Sequence, residues 1–322
     1  MTTQTQTQTQ AQDPAQSQSS AATLPKVARS RAELAEFLAP ARAAGAKVGL
    51  VPTMGALHEG HGSLMTEARA RVGETGQVVV SIFVNPLQFA PGEDLDRYPR
   101  TLDADLELAG ARGVDIVFAP TAEEVYPGGV RAGETDEQIT VEPGPLGSVL
   151  EGATRPIHFR GVLTVVAKLF GLVRPDVAVF GQKDYQQLVL IRAMAQNLCM
   201  GIDVVGAETV REDDGLAKSS RNRYLTPEQR TASLALSRVL RAAQNGARHG
   251  LETALLEARA ELRSAHKVDL DYLEIRLPDL SPVPADVAPG TEARILIAAR
   301  VGATRLIDNM PLVIGAPAPA QA

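Results

Sequence analysis

Five short runs of almost uninterrupted apolar residues, spaced by segments of helical period, leave this chain few folds to choose from. KVGLVPT (47–53), QVVVSIFVN (77–85), VDIVFAP (114–120), DVAVFG (176–181) and DVVGAETV (203–210) read as strands without a consistently polar face. A parallel sheet of such strands must be covered on both sides. RAELAEFLAPARAAG (31–45), the stretch after His61, LDADLELAGARG (102–113), GVLTVVAKLFGLV (161–173) and YQQLVLIRAMAQNLC (185–199) are helix-like and supply the cover. Strands alternating with helices in this way predict an α/β domain built on a doubly wound parallel sheet.

Ligands of such sheets bind outside the carboxyl ends of the strands, which makes the residues just past each strand the candidates. The first strand runs into Met54, Gly55, Ala56, Leu57, His58, Glu59, Gly60 and His61. Small residues there let backbone approach a ligand, and the helix SLMTEARARV starts at once, so its unpaired N–H groups favour an anion. Two histidines three apart share one helix face. A second strand ends at Asn85, Pro86 and Gln88, and another at Gly181, Gln182, Lys183, Asp184 and Gln187. Each group alone has a plain reading: Asn-Pro is a common turn, Lys-Asp a solvated helix start, and a histidine pair a metal site or a cap. The zincin pattern needs H-E-x-x-H, and H-E-G-H is one residue short. His158, His249 and His266 form no ligand-like cluster with cysteine. Three strand ends meeting in one crevice favour a nucleotide phosphate site.

At 322 residues, 44% hydrophobic and 22% charged, the chain has room for two domains. After residue 209 the pattern changes to the loop REDDGLAKSSRNRYL (211–225), two helices through about Arg248 and LETALLEARAELRSA (251–265), and strands VDLDYLEIR, ARILIAARVG and TRLIDNM. This predicts a smaller α+β domain over 210–314 after a nucleotide-binding domain over 25–209, with KSSRN at a hinge that could carry it over the crevice. The Gln/Thr-rich residues 1–24 and the tail 315–322 are of low complexity and expected to be disordered. No apolar stretch is long enough to span a membrane. A net charge of −6 without a basic block argues against a nucleic-acid partner. The single cysteine, Cys199, excludes an internal disulfide framework, fits a reducing cytoplasm and is expected to fill the core.

PTMGALHEGH, FVNPLQF, HFRGVLTVVAKL, FGQKDYQQL and SSRNRYL follow one another at suitable separations. With these the chain resembles, over nearly all its folded length, the pantoate–β-alanine ligase (pantothenate synthetase) family of HIGH-motif nucleotidyltransferases, HEGH standing for HIGH and KSSRN for the mobile KMSKS-type loop. The resemblance implies a Rossmann-like domain and ATP-dependent condensation of (R)-pantoate with β-alanine to pantothenate, AMP and pyrophosphate through a pantoyl-adenylate. It places ATP against Met54–His61, Gly181, Gln182, Lys183, Asp184, Val210, Lys218, Ser219, Ser220 and Arg221. His58, His61, Lys183 and Arg221 would serve catalysis, with His61 the proton donor. Gln88 and Gln187 would bind pantoate with Asn85 beside them, and Gln88 would also meet β-alanine. Mg2+ comes with ATP; Asp103 and Asp105 are the nearby acids, separated by Ala104 where relatives carry adjacent acids, and Asp105 is the candidate ligand. Lys218 stands where relatives more often have methionine; it either adds a phosphate contact or, the favoured option, points to solvent. A cytoplasmic homodimer is implied. Another small-molecule nucleotidyltransferase and a non-catalytic nucleotide-binding regulator are the alternatives.

Overall fold

The structure, a computed structural model, describes residues 23–90, 95, 98–130 and 139–315. The expected disorder of the two tails lies, apart from residues 23, 24 and 315, outside them. Strands β1 (Lys26–Ala28), β2 (Val48–Thr53), β3 (Gln77–Ile82), β4 (Ile116–Phe118), β5 (Val177–Gly181) and β6 (Asp203–Ala207) form one sheet in the order β1-β4-β3-β2-β5-β6, every pair parallel. All five expected strands are present. The additional β1 has three residues, too few to show a period.

Successive strand residues serve opposite faces. Leu50, Val79, Ile116, Phe118, Ala178 and Phe180 pack with α1 (Arg31–Ala43), α6 (His158–Val173) and α7 (Tyr185–Asn197), whereas Val51, Val78, Val80, Val117 and Val179 pack with α2 (Glu59–Val72) and α3 (Leu102–Ala111). Burying each of these valine, leucine, isoleucine and phenylalanine side chains contributes about 1.5–3 kcal/mol, which is why the strands carry no consistently polar face. Two four-residue helices, α4 (Ala122–Val125) and α5 (Glu151–Thr154), lie in the connection from β4 to α6. From β2 the chain steps to β3 and β4 in one direction, then returns to lay β5 on the other side of β2. The topological switch point therefore falls between the ends of β2 and β5.

Beyond β6 come α8 (Pro227–Ala247), α9 (Leu251–Ser264) and the antiparallel sheet β7 (Asp269–Arg276), β8 (Thr291–Val301) and β9 (Thr304–Ile314), with a core of their own. Thr226 and Gln229 form a capping box at the start of α8, with Pro227 at its first position. Arg305 of β9 ties this unit to the first: its guanidinium reaches both carboxylate oxygens of Glu151, at 2.6 and 2.8 Å, and also Asp271. Cys199 is not in the core. It is exposed just past the end of α7 with φ +52, a left-handed position that turns the chain towards β6. No helix among the described residues is long and apolar enough to cross a membrane.

Candidate active site

The turn leaving β2 is held from below by a carboxylate. Gly55 and Ala56 both have positive φ, +83 and +51, and the amides that this exposes point at Asp105 in the first turn of α3. Ala56 N donates to Oδ2 at 3.1 Å, Leu57 N to Oδ1 at 2.8 Å and Thr101 Oγ1 to Oδ1 at 3.1 Å. Asp105 is 2% exposed. Both of its oxygens are in use, so the structure gives it the work of bracing the turn, not the open, ligand-facing position expected of a metal site. Asp103 is exposed. Among the described residues no group of three or more acidic, histidine or cysteine side chains could hold a metal ion.

His58 is the N-cap of α2, and the two imidazoles close a reciprocal cap. Gly60 N donates to His58 Nδ1 at 3.1 Å and His58 N to His61 Nδ1 at 3.3 Å, with ring centroids 4.1 Å apart. An Nδ1 that accepts carries no proton, so each neutral ring has its N–H at Nε2. Burial, followed by the charges of Lys183, Lys218 and Arg223, lowers the His58 pKa to about 4. Burial and the adjacent His58 lower that of His61 to about 3. Near neutrality both are uncharged donors. The cap reading and the ligand reading of the pair are thus compatible: Nδ1 serves the helix and Nε2 is left for a ligand.

Past β3, a short 3-10 turn over Pro86–Gln88 presents Gln88. Asn85, 1% exposed, makes that turn and spends all its capacity inside the protein: Oδ1 accepts from Tyr126 Oη at 2.8 Å and Leu87 N at 3.3 Å, while Nδ2 donates to Gly161 O at 3.0 Å and Gln88 Oε1 at 3.4 Å. Helix α6 passes so close that a Cβ on Gly161 would collide with Leu87 O and stand 2.6 Å from Gln88 Cα. Glycine is required there. His158 Nδ1 lies 3.1 Å from Gln88 O and Arg155 Nη2 donates to the same oxygen at 3.3 Å. Burial and the charge of Arg155 lower the His158 pKa to about 4.

Past β5, the 3-10 turn Gln182–Asp184 leads into α7. Lys183 Nζ is 4.0 Å from Asp184 Oδ1. Burial opposes ionisation of Asp184, but Lys183, Arg221, His158 and Arg155 outweigh it and hold the carboxyl below its ordinary range. The two glutamines that follow divide their work. Gln186, 3% exposed, binds Glu151 N, Leu146 O and Val149 O, leaving Gln187 to face open space.

The hairpin that carries 218–221 closes on itself through Lys218 N to Val210 O at 2.9 Å, and Arg211 anchors it to Asp308 with bonds of 2.7 and 2.9 Å. A crevice of about 240 Å³ at the switch point is lined by Met54, His58, Gly60, His61, Gln88, Gly181, Lys183, Asp184, Gln187, Val210, Lys218, Ser219, Ser220 and Arg221. Lys218 faces this crevice and pairs loosely with Glu212 at 3.9 Å, contrary to the expectation that it points to solvent. Gly55, Ala56, Leu57, Glu59, Asn85 and Gln182 do not line it. Glu59 instead pairs with Arg112. Arg155 and His158 do line it, as well as a second chamber of about 700 Å³ that shares Lys183, Asp184, Gln187, Ser219 and Arg221. Neither residue is among the candidates that the sequence supplies; the HFRG segment containing His158 is their one trace there.

A family model for pantoate-beta-alanine ligase matches residues 26–311. The chain belongs to the pantoate–β-alanine ligase family. It is 68% identical over 299 residues to a pantothenate synthetase of Nocardioides sp. (strain ATCC BAA-499 / JS614), covering 92% of this chain and 88% of that one. Its fold matches pantothenate synthetase from Thermus thermophilus with a TM-score of 0.78 at 46% identity, covering 88% and 98% of the two chains. A pantoate-beta-alanine ligase from Francisella tularensis, crystallised with beta-gamma ATP and beta-alanine, matches with a TM-score of 0.69 at 31% identity over 89% and 97%. Across the ligase family's matched length lie the bracing Asp105, the paired imidazoles and both strand-end turns.

Proposed function

We propose that this ligase condenses (R)-pantoate with β-alanine, using ATP, through a pantoyl-adenylate, and releases pantothenate, AMP and pyrophosphate. The observation that carries this reading is the meeting, in one crevice, of two imidazole Nε2 donors and a lysine with two side-chain amides and an apolar wall that includes Val162, Val166 and Phe180. Amides suit the hydroxyls and carboxylate of pantoate, and the apolar wall suits its methyl groups.

A carboxylate oxygen is too poor a leaving group to be displaced by an amine, and transfer of AMP to it removes that obstacle. The carboxylate of pantoate attacks the α-phosphorus of ATP, the bond to the bridging oxygen of pyrophosphate breaks, and the amine of β-alanine later displaces AMP. His58 and His61 donate through Nε2 to phosphate oxygens. The proton-donor role implied for His61 becomes that of a neutral hydrogen-bond donor, because a ring with a pKa of about 3 holds no second proton near neutrality. Lys183 opposes the charge that grows on the phosphoryl group, and Lys218, Ser219, Ser220 and Arg221 cover the leaving pyrophosphate. Magnesium would arrive on the phosphates and keep them and water as its main ligands, since the protein donors here are chiefly imidazole, ammonium and hydroxyl; Asp184 and Glu208 are the crevice carboxylates that would share it. The larger chamber shares Lys183, Asp184, Gln187, Ser219 and Arg221 with the crevice, which supports an approach of the amine from that side. Gln88 and Gln187 hold the acid, with Asn85 fixing Gln88 from behind. We also expect a cytoplasmic homodimer, for which light scattering of the purified protein tests the assembly.

Exchange of labelled pyrophosphate into ATP tests the reading directly. Exchange should require pantoate, proceed without β-alanine and fall strongly in Lys183→Ala and His61→Ala with the fold retained. Pantoate-independent exchange, or none with pantoate, would overturn it.

A further inference from the structure

The turn that presents Lys183 is held by side chains of the other unit. Asn309, in β9 and 4% exposed, donates from Nδ2 to the carbonyls of both Gln182, at 2.9 Å, and Lys183, at 2.8 Å. Its Oδ1 accepts from Arg294 Nη1 in β8. Arg294 is 8% exposed; its Nη2 donates to Gln182 Oε1 at 2.9 Å and its guanidinium lies 3.8 Å over the ring of Tyr185. Gln182 completes the set by donating to Gly206 O at 3.0 Å. The turn has no side-chain cap of its own at its start. What fixes Gln182 and Lys183 is therefore mostly the small unit, through three hydrogen bonds.

An amide is well suited to this place. Its two N–H groups satisfy two successive carbonyls while its oxygen satisfies a cation, and a carboxylate of the same shape could make only the last contact. Among the described residues no carboxylate pairs with Arg294, and the neighbouring Asp308 is committed to Arg211. The Asn309 amide is buried with its oxygen and both N–H groups in use, and its one evident object is the backbone that carries Lys183. We propose that Asn309 is a positioning residue for adenylation: it sets Lys183 against the transferring phosphoryl group and makes that placement depend on the small unit being docked. This rests on the role given above to Lys183.

The test is single-turnover adenylate formation in Asn309→Asp and Asn309→Ser, alone and combined with Lys183→Ala. Aspartate keeps the shape and gains an ion pair with Arg294 but turns an acceptor-only oxygen towards both carbonyls, removing both donated bonds; serine avoids that repulsion and keeps a donor too short to reach two carbonyls. A misplaced reacting group costs roughly tenfold to a hundredfold in rate. We expect such a loss in either variant, with the KM for ATP and pantoate nearly unchanged, and little further loss when Lys183 is already alanine. Near-normal rates in both variants alongside a slow Lys183→Ala would overturn the proposal. So would an undiminished effect in the Lys183→Ala background, which marks a general structural defect. A normal rate in Lys183→Ala alone would instead remove the role of Lys183, and the proposal with it.

Discussion

Replacing Asp105 by asparagine changes one oxygen into an NH2 group and keeps the shape. In the native turn the carboxylate receives Ala56 N, Leu57 N and Thr101 Oγ1 at 2.8–3.1 Å. Asparagine can accept one backbone amide through its oxygen, but its NH2 must then face the other N–H. A hydrogen bond to a charged group contributes about 1.5–3 kcal/mol, and a buried donor without a partner costs about 1–3 kcal/mol. Those two figures describe overlapping parts of one loss, so a destabilisation of about 2–3 kcal/mol is expected by urea unfolding. Ala56 adds a second consequence. Its φ of +51 is held by the bond to Asp105, and a non-glycine residue there stores about 1–3 kcal/mol of strain that the loosened turn can release by moving. Movement of Gly55–Leu57 shifts the cap at His58 and His61, so pyrophosphate exchange should slow and its KM for ATP should rise. The Mg2+ concentration giving half-maximal exchange should stay where it is. Unchanged stability together with a several-fold rise in that Mg2+ requirement would refute the bracing argument and make Asp105 a metal ligand.

The paired imidazoles separate by atom: His61→Asn places an oxygen near Nδ1 and preserves the cap, whereas His61→Gln places its amide nitrogen near Nε2 and preserves the donor. His61→Gln should retain more adenylation than His61→Asn but be the less stable of the two, and the reverse order in exchange assays would refute the assignment of Nε2 to the phosphates. Folded-state pKa values of about 4 and 3 lie below the ordinary value of 6.5, so the unfolded chain takes up protons that the native state refuses. Stability is therefore full above pH 6.5 and falls as pH drops from there towards 4, by up to about 1.4 kcal/mol per pH unit for each such histidine. Denaturant midpoints that stay flat between about pH 6.5 and 5 in the wild type, or unchanged in slope in His61→Asn, would contradict this. Gly161→Ala drives a methyl group into Leu87 O and the Gln88 turn; overpacking of this kind costs about 1–3 kcal/mol, and the KM for pantoate should rise more than that for ATP.

What could be read from the residues alone was whatever depends on near neighbours in the chain. Apolar runs such as QVVVSI identify buried strands because every second residue serves an opposite face, and alternation with helices then dictates a parallel sheet with its ligand crevice at strand ends. That carried the reading to His58, His61, Gln88 and Lys183, and the family resemblance added Ser219–Arg221; all of these line one crevice. Strand β1 escaped because three residues hold no period, and Arg155 and His158 escaped because they stand at the entry to a helix and not just past a strand. Tertiary structure alone decided what each polar group is free to do. Asn85 and Asp105 are as polar as Gln187 in the sequence, yet Tyr126, Gly161, Ala56 and Leu57 consume their hydrogen-bonding capacity from distant parts of the chain, while Gln187 faces the crevice. Lys218 turns to the crevice, Cys199 to the surface, and Asn309 to the Lys183 turn, 126 residues away in the chain. Periodicity is a local property; the partner that satisfies a buried donor or acceptor is chosen only when remote segments pack, and that choice separates residues that meet a ligand from those that hold them in place.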